Sequence, residues 1–555
     1  MALNVPGVVV MAFFYLMVLG TGIWASFKSK RESKKSSADQ MEMTLLGNRG
    51  INLVVGMFTM TATWIGGGFF ITMSEAAYTP SLGVQEVVLV VIANVIAFFI
   101  CGLVFTKPMR DRRFVTMLDP FYIKYGKGVA CLFTIISLIA DLIWVPATLI
   151  SLGAVMSVIL DVSYTVSVWI SAAIAVTYTL LGGLYSVAYT DIIQLILMFL
   201  SAWLCVPFVL MSPAASGMSN TTLALNATSS PLWLGAWEKD ALLVKVDTFL
   251  FLAFGSLAYQ CVHQRILSAS SSHTAKLSCF AAAIATIIFA IPPAIIGSVA
   301  VTADWNKTSY GSPSPLERGD GSIIFPIALN YLTPPYIAII GISAVAAAVM
   351  SSTDSALLSA ATTFSSNIYK NILRPQASQR EMNWVVRVVV VLIGIVGTSL
   401  TAFKSGTLAM WYIGVAMTYV FMFPQLICVL FFDKANGYGS IMGFVVSLAL
   451  RLLCGWPRVG IPAVLRLPGD SFEDGAHVQR FPVNTLCMLC SMACILTFSY
   501  LTALLLDKGI VPEAWDLLHF LKMPRKLPSV GASNEDKNRR LEEKDPSEPM
   551  IDTTC

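Results

Sequence analysis

The sequence predicts an all-α polytopic membrane protein with about thirteen transmembrane helices. Three observations carry that expectation: the composition, the lengths of the apolar runs, and the alternation of basic and glycosylation signals along the connections. Of the 555 residues, 56% are hydrophobic and 12% are charged, whereas soluble domains carry about a quarter charged residues. So much apolar surface needs lipid as its solvent, and membrane lipid is the expected surrounding partner. The formal net charge of +4, from 36 basic and 32 acidic residues, is too small to point to nucleic acid. The eleven cysteines lie mostly inside apolar runs. Cys487, Cys490 and Cys494 share one run with no histidine beside them; they read as small core residues, because a metal site needs converging ligands.

Taken in order, the apolar runs fall near positions 6–27, 50–78, 81–106, 129–159, 163–183, 188–211, 245–264, 275–301, 335–368, 384–404, 408–432, 438–455 and 482–506. The first does not read as a cleavable leader: no lysine or arginine precedes it, and Lys28, Lys30, Arg31, Lys34 and Lys35 follow it. By the positive-inside rule that basic run is cytoplasmic and the N-terminus is outside. Alternation then puts Arg110, Arg112, Arg113 and Lys124 inside, with Lys370 and Arg374. The sequons at Asn220, Asn226 and Asn306 all fall outside, as glycan acceptors must. An odd number of spans leaves the tail from Asp507 cytoplasmic, and its end, 531–555, is polar enough to be disordered. Cys555 does not complete a prenylation box.

Two runs are interrupted where an uninterrupted helix would be expected. "TMTATWIGGGFF", Thr59 to Phe70, places Gly66, Gly67 and Gly68 in mid-span. Each glycine costs about 1 kcal/mol relative to alanine, and irregular backbone at that depth is tolerated only where it lines a cavity or packs closely. The neighbouring threonines and freed carbonyls together suit a small hard cation. "FLAFGSLAYQCVHQR", Phe251 to Arg265, repeats the feature with Gly255-Ser256 and Gln260. Two broken helices at matching places in two five-helix halves point to an inverted-repeat secondary transporter. The chain then divides into a first helix with its basic loop (1–49), a first repeat (50–211), an outer loop (212–244), a second repeat (245–432), two added helices (433–506) and the tail (507–555). A third polar stretch, "AAAVMSSTDSALLS" (Ala346 to Ser359), puts Asp354 inside the ninth span, where a carboxylate is a functional residue by default. A fourth, "GGLYSVAYTDIIQ" (Gly182 to Gln194), is expected to be a short polar turn on the inner side.

Gly182-Gly183, Thr190-Asp191 and Gln194, followed by "MSSTDS", resemble the hallmarks of the solute:sodium symporters, and the order and spacing agree from about residue 6 to 506. Within that family the resemblance is closest to the choline transporters, through "FTMTATWIGGG", "TMLDPF", "LGGLYSVAYTD", "TADWNKTSYG" and "FPQLICVLF". The resemblance implies a LeuT-type five-plus-five inverted-repeat core. It also implies sodium-coupled, chloride-sensitive uptake of choline across the plasma membrane, with a synaptic location and no enzymatic step.

Choline has no N–H to donate, so its natural binding site is a box of aromatic faces. The resemblance assigns Trp64, Trp144 and Trp411 to that box, with Tyr259 where the relatives carry a further tryptophan. Asp141 stands where they carry a glutamate and would attract a cation at long range. For sodium it assigns the carbonyls of Ala62, Ile65 and Ala348 and the hydroxyls of Ser351 and Ser352; Asp354 serves a second cation or steadies the first. Gly66, Gly67, Gly68, Gly255 and Asp191 are structural or gating positions. The chain departs from the choline transporters in Tyr259, in "IGVAMTY" after Trp411-Tyr412, and in "SLGVQEVVLVV" after Pro80. Two alternatives therefore stand beside choline import: a sodium symporter for another small organic solute, and a non-transporting sensor or channel-like relative. The oligomeric state is open, a homo-oligomer included.

Overall fold

The computed structural model describes residues 5–35, 45–160, 162–216, 233–236, 241–403, 406–473, 476–512, 515–518 and 520–527. Among them, nine helices are long and apolar enough to cross a membrane. Counting each of two bent pairs as one span makes eleven, and two shorter apolar helices, Tyr164–Thr177 and Gly437–Leu453, lie where the remaining apolar runs fall. In chain order the helices are α1 (Val5–Lys35), α2 (Leu53–Trp64), α3 (Gly67–Tyr78), α4 (Gly83–Ile100), α5 (Asp119–Leu160), α6 (Tyr164–Leu210), α7 (Leu242–Gly255) and α8 (Gln260–Ser268). They continue with α9 (Ser272–Thr302), α10 (Ile324–Leu332), α11 (Pro335–Thr363), α12 (Gln379–Leu400), α13 (Thr407–Met417), α14 (Phe423–Phe431), α15 (Gly437–Leu453) and α16 (Val483–Asp507). A small antiparallel hairpin, β1 (Asp470–Glu473) and β2 (Ala476–Gln479), lies between α15 and α16.

The local signals explain where these helices start and stop. Asn52 caps α2 by accepting from the Val55 N–H at 3.0 Å, and Ser378 with Glu381 forms a capping box on α12 that satisfies otherwise orphaned donors. Threonines inside the apolar helices bond back to the preceding turn, as Thr61 does to Met57 O and Thr63 to Thr59 O, both at 2.7 Å. That pairing lets a hydroxyl sit inside the membrane without an unsatisfied polar atom.

Both interruptions read in the sequence are real bends. The α2–α3 pair turns by 44° and the pair Leu242–Ala258 with Gln260–Ser268 turns by 48°. Each leads a set of five spans, and α9 packs across α2, α3 and α4. The centre is formed by α11, whose span is 83% buried, and by the span of α13 and α14, which is 89% buried. α1 and α16, only 28% and 22% buried, form the rim.

Two features differ from the expectation. The "GGLYSVAYTDIIQ" stretch is helical backbone within α6 rather than a polar turn, and Asp191 is fully buried. The helix is not straight there. Thr179 reaches Asp354 at 2.6 Å and Asp191 reaches Ser351 at 2.5 Å. A straight helix would separate Thr179 and Asp191 by about 18 Å but their partners on α11 by only about 4.5 Å. The axis of α6 therefore bends sharply between those residues. The second difference is α10, which has no span-length run to announce it; its buried Ile324, Phe325 and Ala328 pack against α3, α9 and α11. The sequons at Asn220 and Asn226 and the tail 531–555 lie outside the described residues.

Candidate functional site

Where α2 breaks, α11 passes so close that two of the three glycines have no room for a side chain. A Cβ at Gly66 would lie 1.8 Å from Ser352 Oγ and 3.4 Å from the Ala348 carbonyl oxygen. One at Gly67 would meet the Val345 carbonyl at 2.6 Å and the Val349 nitrogen at 2.8 Å. Gly68 is different, with Ser151 Oγ at an ordinary 3.6 Å. Gly66 takes an extended conformation (φ −103°, ψ −172°) and Ile65 leaves the helix beside it. Ala62 and Ile65 on one side of this contact, and Ala348, Ser351 and Ser352 on the other, are thus brought to one place, all nearly inaccessible to solvent. The second break is held similarly: a Cβ at Gly255 would lie 2.4 Å from the Val415 carbonyl, and Thr418 Oγ1 donates to Gly255 O at 2.9 Å.

A network of buried charges lies directly behind. Asp191 accepts from Thr59 and from Ser351, both at 2.5 Å, and its carboxylate is 3.7 Å from Arg265 Nη2. Arg265 also donates to Thr63 Oγ1 and to Ser355 Oγ, each at 2.8 Å. Asp354 accepts from Thr179, while its second oxygen has no hydrogen-bond partner. Ser351 thus spends its proton on Asp191, which leaves its oxygen lone pairs for a cation. The sequence reading named Asp191 and Asp354, gave Arg265 no role, and took the threonines before the break as oxygens for a cation, whereas Thr59 donates to Asp191 and Thr63 accepts from Arg265. Arg265 carried a signal, since an arginine inside an apolar run is dearer than the glutamine beside it; its partner was invisible without the fold.

The rings expected to bind substrate do converge. Trp64 lies 5.9 Å from Trp144, 5.7 Å from Tyr259 and 6.4 Å from Trp411 between ring centroids, and Trp144 is 5.8 Å from Tyr259. The Trp64 indole N–H donates to Asn94 Oδ1 at 2.9 Å, a partner on α4 that fixes the ring. A cavity of about 40 Å³ separates Trp64, Trp144 and Trp411 from Thr72, Ser352 and Thr407. Asp141, three residues before Trp144 on α5, is buried behind the rings and outside that cavity. One of its oxygens accepts from Ser359 at 3.3 Å and the other has no partner.

Two of the departures noted in the sequence touch one another. A Cβ at Gly414, in "IGVAMTY", would stand 2.6 Å from the Tyr259 hydroxyl. The tyrosine thus fills space that only a glycine at 414 leaves open. In the same way Glu86, in "SLGVQEVVLVV", accepts from Tyr412 at 2.6 Å, and Glu75 accepts from the Leu408 N–H at 3.2 Å. Asn306 is exposed in the short turn Trp305–Lys307, beyond α9.

The profile described as "Sodium:solute symporter family" matches residues 45–447. The chain belongs to the sodium:solute symporter family. This symporter is 42% identical over 523 residues to a protein of Torpedo marmorata named high-affinity choline transporter 1, covering 93% of this chain and 89% of that one. Its human namesake is 40% identical over 518 residues, with 93% and 88% covered. Among solved structures, a Na+-coupled sialic acid symporter in a substrate-bound outward-open state superposes with a TM-score of 0.68 at 17% identity, covering 89% of this symporter and 98% of that chain. Mhp1, a nucleobase-cation-symport-1 family transporter, gives 0.55 at 13% identity, with 90% and 98% covered. The inverted-repeat fold, with a broken helix leading each half, is therefore that of the LeuT-type sodium symporters.

Two outcomes test this geometry. Gly67→Ala must push backbone from backbone, at about 1–3 kcal/mol for an overpacked site, and should lower the melting temperature of the purified symporter by several degrees, whereas Gly68→Ala should leave it unchanged. Equal melting of the two variants would contradict the close approach. Arg265→Gln strands Asp191, at a cost of about 3–5 kcal/mol for breaking a buried pair. Adding Asp191→Asn should recover part of the lost melting temperature; no recovery would mean the two side chains are not coupled.

Proposed function

We propose that this symporter imports choline or a closely similar quaternary ammonium solute, driven by sodium. The observation that carries the reading is the cluster of Trp64, Trp144, Tyr259 and Trp411 beside the broken helix. A micromolar ligand needs about 8 kcal/mol of binding free energy. Each desolvated ring over a quaternary ammonium supplies roughly 0.5–2 kcal/mol, so several rings must act together. Sodium is taken by the carbonyls of Ala62, Ile65 and Ala348 with Ser351 and Ser352, and Asp191, Asp354 and Arg265 set the field around it. With both acids ionised, the network carries one formal negative charge, which one sodium ion balances. Because Ala62, Ile65 and Trp64 belong to a single turn, an ion that fastens this turn to α11 also fixes the ring against which the substrate packs, which couples the two bindings.

The N-terminus is assigned to the outside and the tail to the cytoplasm: Arg49 binds the Arg113 carbonyl among the basic residues of one end of the bundle, and Asn306 lies at the other. Inward transport then runs with the membrane potential, which contributes about 2.3 kcal/mol per charge at 100 mV. Chloride sensitivity belongs to the same reading through the family resemblance. The contact of Tyr259 with Gly414, both at positions where the chain departs from the choline transporters, favours a second reading in which the box has been reshaped for another small organic solute.

Labelled choline uptake in cells or proteoliposomes should require sodium, fail with lithium and slow on depolarisation; uptake undiminished without sodium overturns the reading. Ser351→Ala with Ser352→Ala should raise the half-saturating sodium concentration several-fold, more than the half-saturating choline concentration. Trp64→Ala should weaken choline about tenfold, since about 1.4 kcal/mol is a factor of ten. Gly414→Ala drives a methyl group against the Tyr259 hydroxyl and should impair uptake, and Tyr259→Phe in the same chain should restore it. Failure of that rescue would place the effect of Gly414→Ala elsewhere.

A further inference from the structure

On the side of α13 away from the rings, a groove of about 760 Å³ opens between α5, α13 and α15. Its walls include Ile136, Ile139, Met410, Met417, Phe444 and Leu448. Ile139 and Leu448 are themselves 42% and 36% exposed, so the groove faces the surrounding lipid. From Ile136 to Pro146 along α5 the lining runs about 15 Å at 1.5 Å per residue, close to half of the roughly 30 Å hydrocarbon thickness. It therefore has the depth of one leaflet.

One end of the groove is positively charged. Arg451, two residues before the end of α15, is only 6% exposed, and its Nε has no hydrogen-bond partner. Its guanidinium lies 4.5 Å from the Trp456 ring centroid, and that of Arg458 lies 5.0 Å from the Tyr412 centroid. Among the described residues lining the groove there is no aspartate or glutamate. Asp247, on α7, is already taken by Asn484 Nδ2 at 2.8 Å and by the Thr485 N–H and hydroxyl at 2.8 and 2.6 Å. Two guanidiniums, one of them nearly buried, stand at the mouth of an apolar slot; Asp247 acts on Arg451 only through space, and among the described residues no carboxylate forms an ion pair with either arginine. Arginine is suited to phosphate because its planar fork binds two oxygens at once.

We propose that this groove binds a glycerophospholipid with an anionic headgroup, its phosphate held by Arg451 and Arg458 and an acyl chain laid along the apolar stripe. A soluble anion would satisfy the arginines but leave the leaflet-deep apolar wall without an occupant. An uncharged apolar molecule would do the reverse. Native mass spectrometry of the full-length symporter tests this, with phosphatidylglycerol compared with phosphatidylcholine of identical chains. The wild-type protein should retain phosphatidylglycerol about tenfold better. Arg458→Gln, a change at an exposed side chain, should cut that preference at least about threefold with an unchanged melting temperature. Leu448→Trp, which fills the slot, should reduce retention of both lipids. Equal retention of the two lipids by the wild-type protein would overturn the proposal, as would full retention by both variants. Displacement of phosphatidylglycerol by glycerol 3-phosphate alone would also overturn it, because a soluble anion would then suffice.

Discussion

The contact between the α2–α3 break and α11 is the constraint on which the rest of the site depends. Helices ordinarily pack with axes about 8–10 Å apart, and only the missing side chains of Gly66 and Gly67 allow backbone to meet backbone here. That approach brings the Ala348 carbonyl and the Ser352 hydroxyl to the face of a broken turn whose own carbonyls have left the helical ladder. In lipid such carbonyls need a partner. The proposed sodium ion would supply one without adding a charged side chain at the contact itself.

The charges are held one layer back. Asp191, Arg265 and Asp354 come from α6, α8 and α11, and each is tied down by a hydroxyl: Thr59 and Ser351 on Asp191, Thr63 and Ser355 on Arg265, Thr179 on Asp354. Buried ions are costly unless paired and hydrogen-bonded, and this arrangement meets both conditions for Asp191 and Arg265. Arg265 sits just beyond the second break, and Thr59 and Thr63 just before the first. The two broken helices, one from each half of the chain, are therefore joined through the same buried cluster.

Much of this was legible in the sequence for a physical reason: features that cost free energy in lipid stand out against an apolar background. Glycines in mid-span and a hydroxyl-rich helix marked the break and α11, while the ring cluster was assigned through the family resemblance. Features whose meaning lies in a partner were not legible. Asn94 is unremarkable until Trp64 is seen to donate to it, and Gly414 is one small residue among several until the Tyr259 hydroxyl is found against it. α10 escaped because nine residues are too few to register as a span. The α6 stretch was misread because polar residues next to a glycine pair suggest a turn, whereas here their side chains are spent inside the bundle on Ser351, Thr59 and the Ala347 carbonyl.

The pairing of departures shows how a pocket can change without losing its packing. Interiors are close-packed, so a substitution that alters volume is felt by its neighbours. Here the phenol of Tyr259 reaches over a glycine, and Tyr412 turns its hydroxyl to Glu86. Both adjustments fall on α13, which presents two faces. Trp411, Gly414 and Val415 look inward to the rings and to the second break. Met410, Ile413 and Met417, each one position or two away, line the groove toward lipid. The inner face of α13 is held closely, by Gly255 against the Val415 carbonyl and by Tyr259 against Gly414. α13 is thus one wall of both the aromatic cluster within and the groove without.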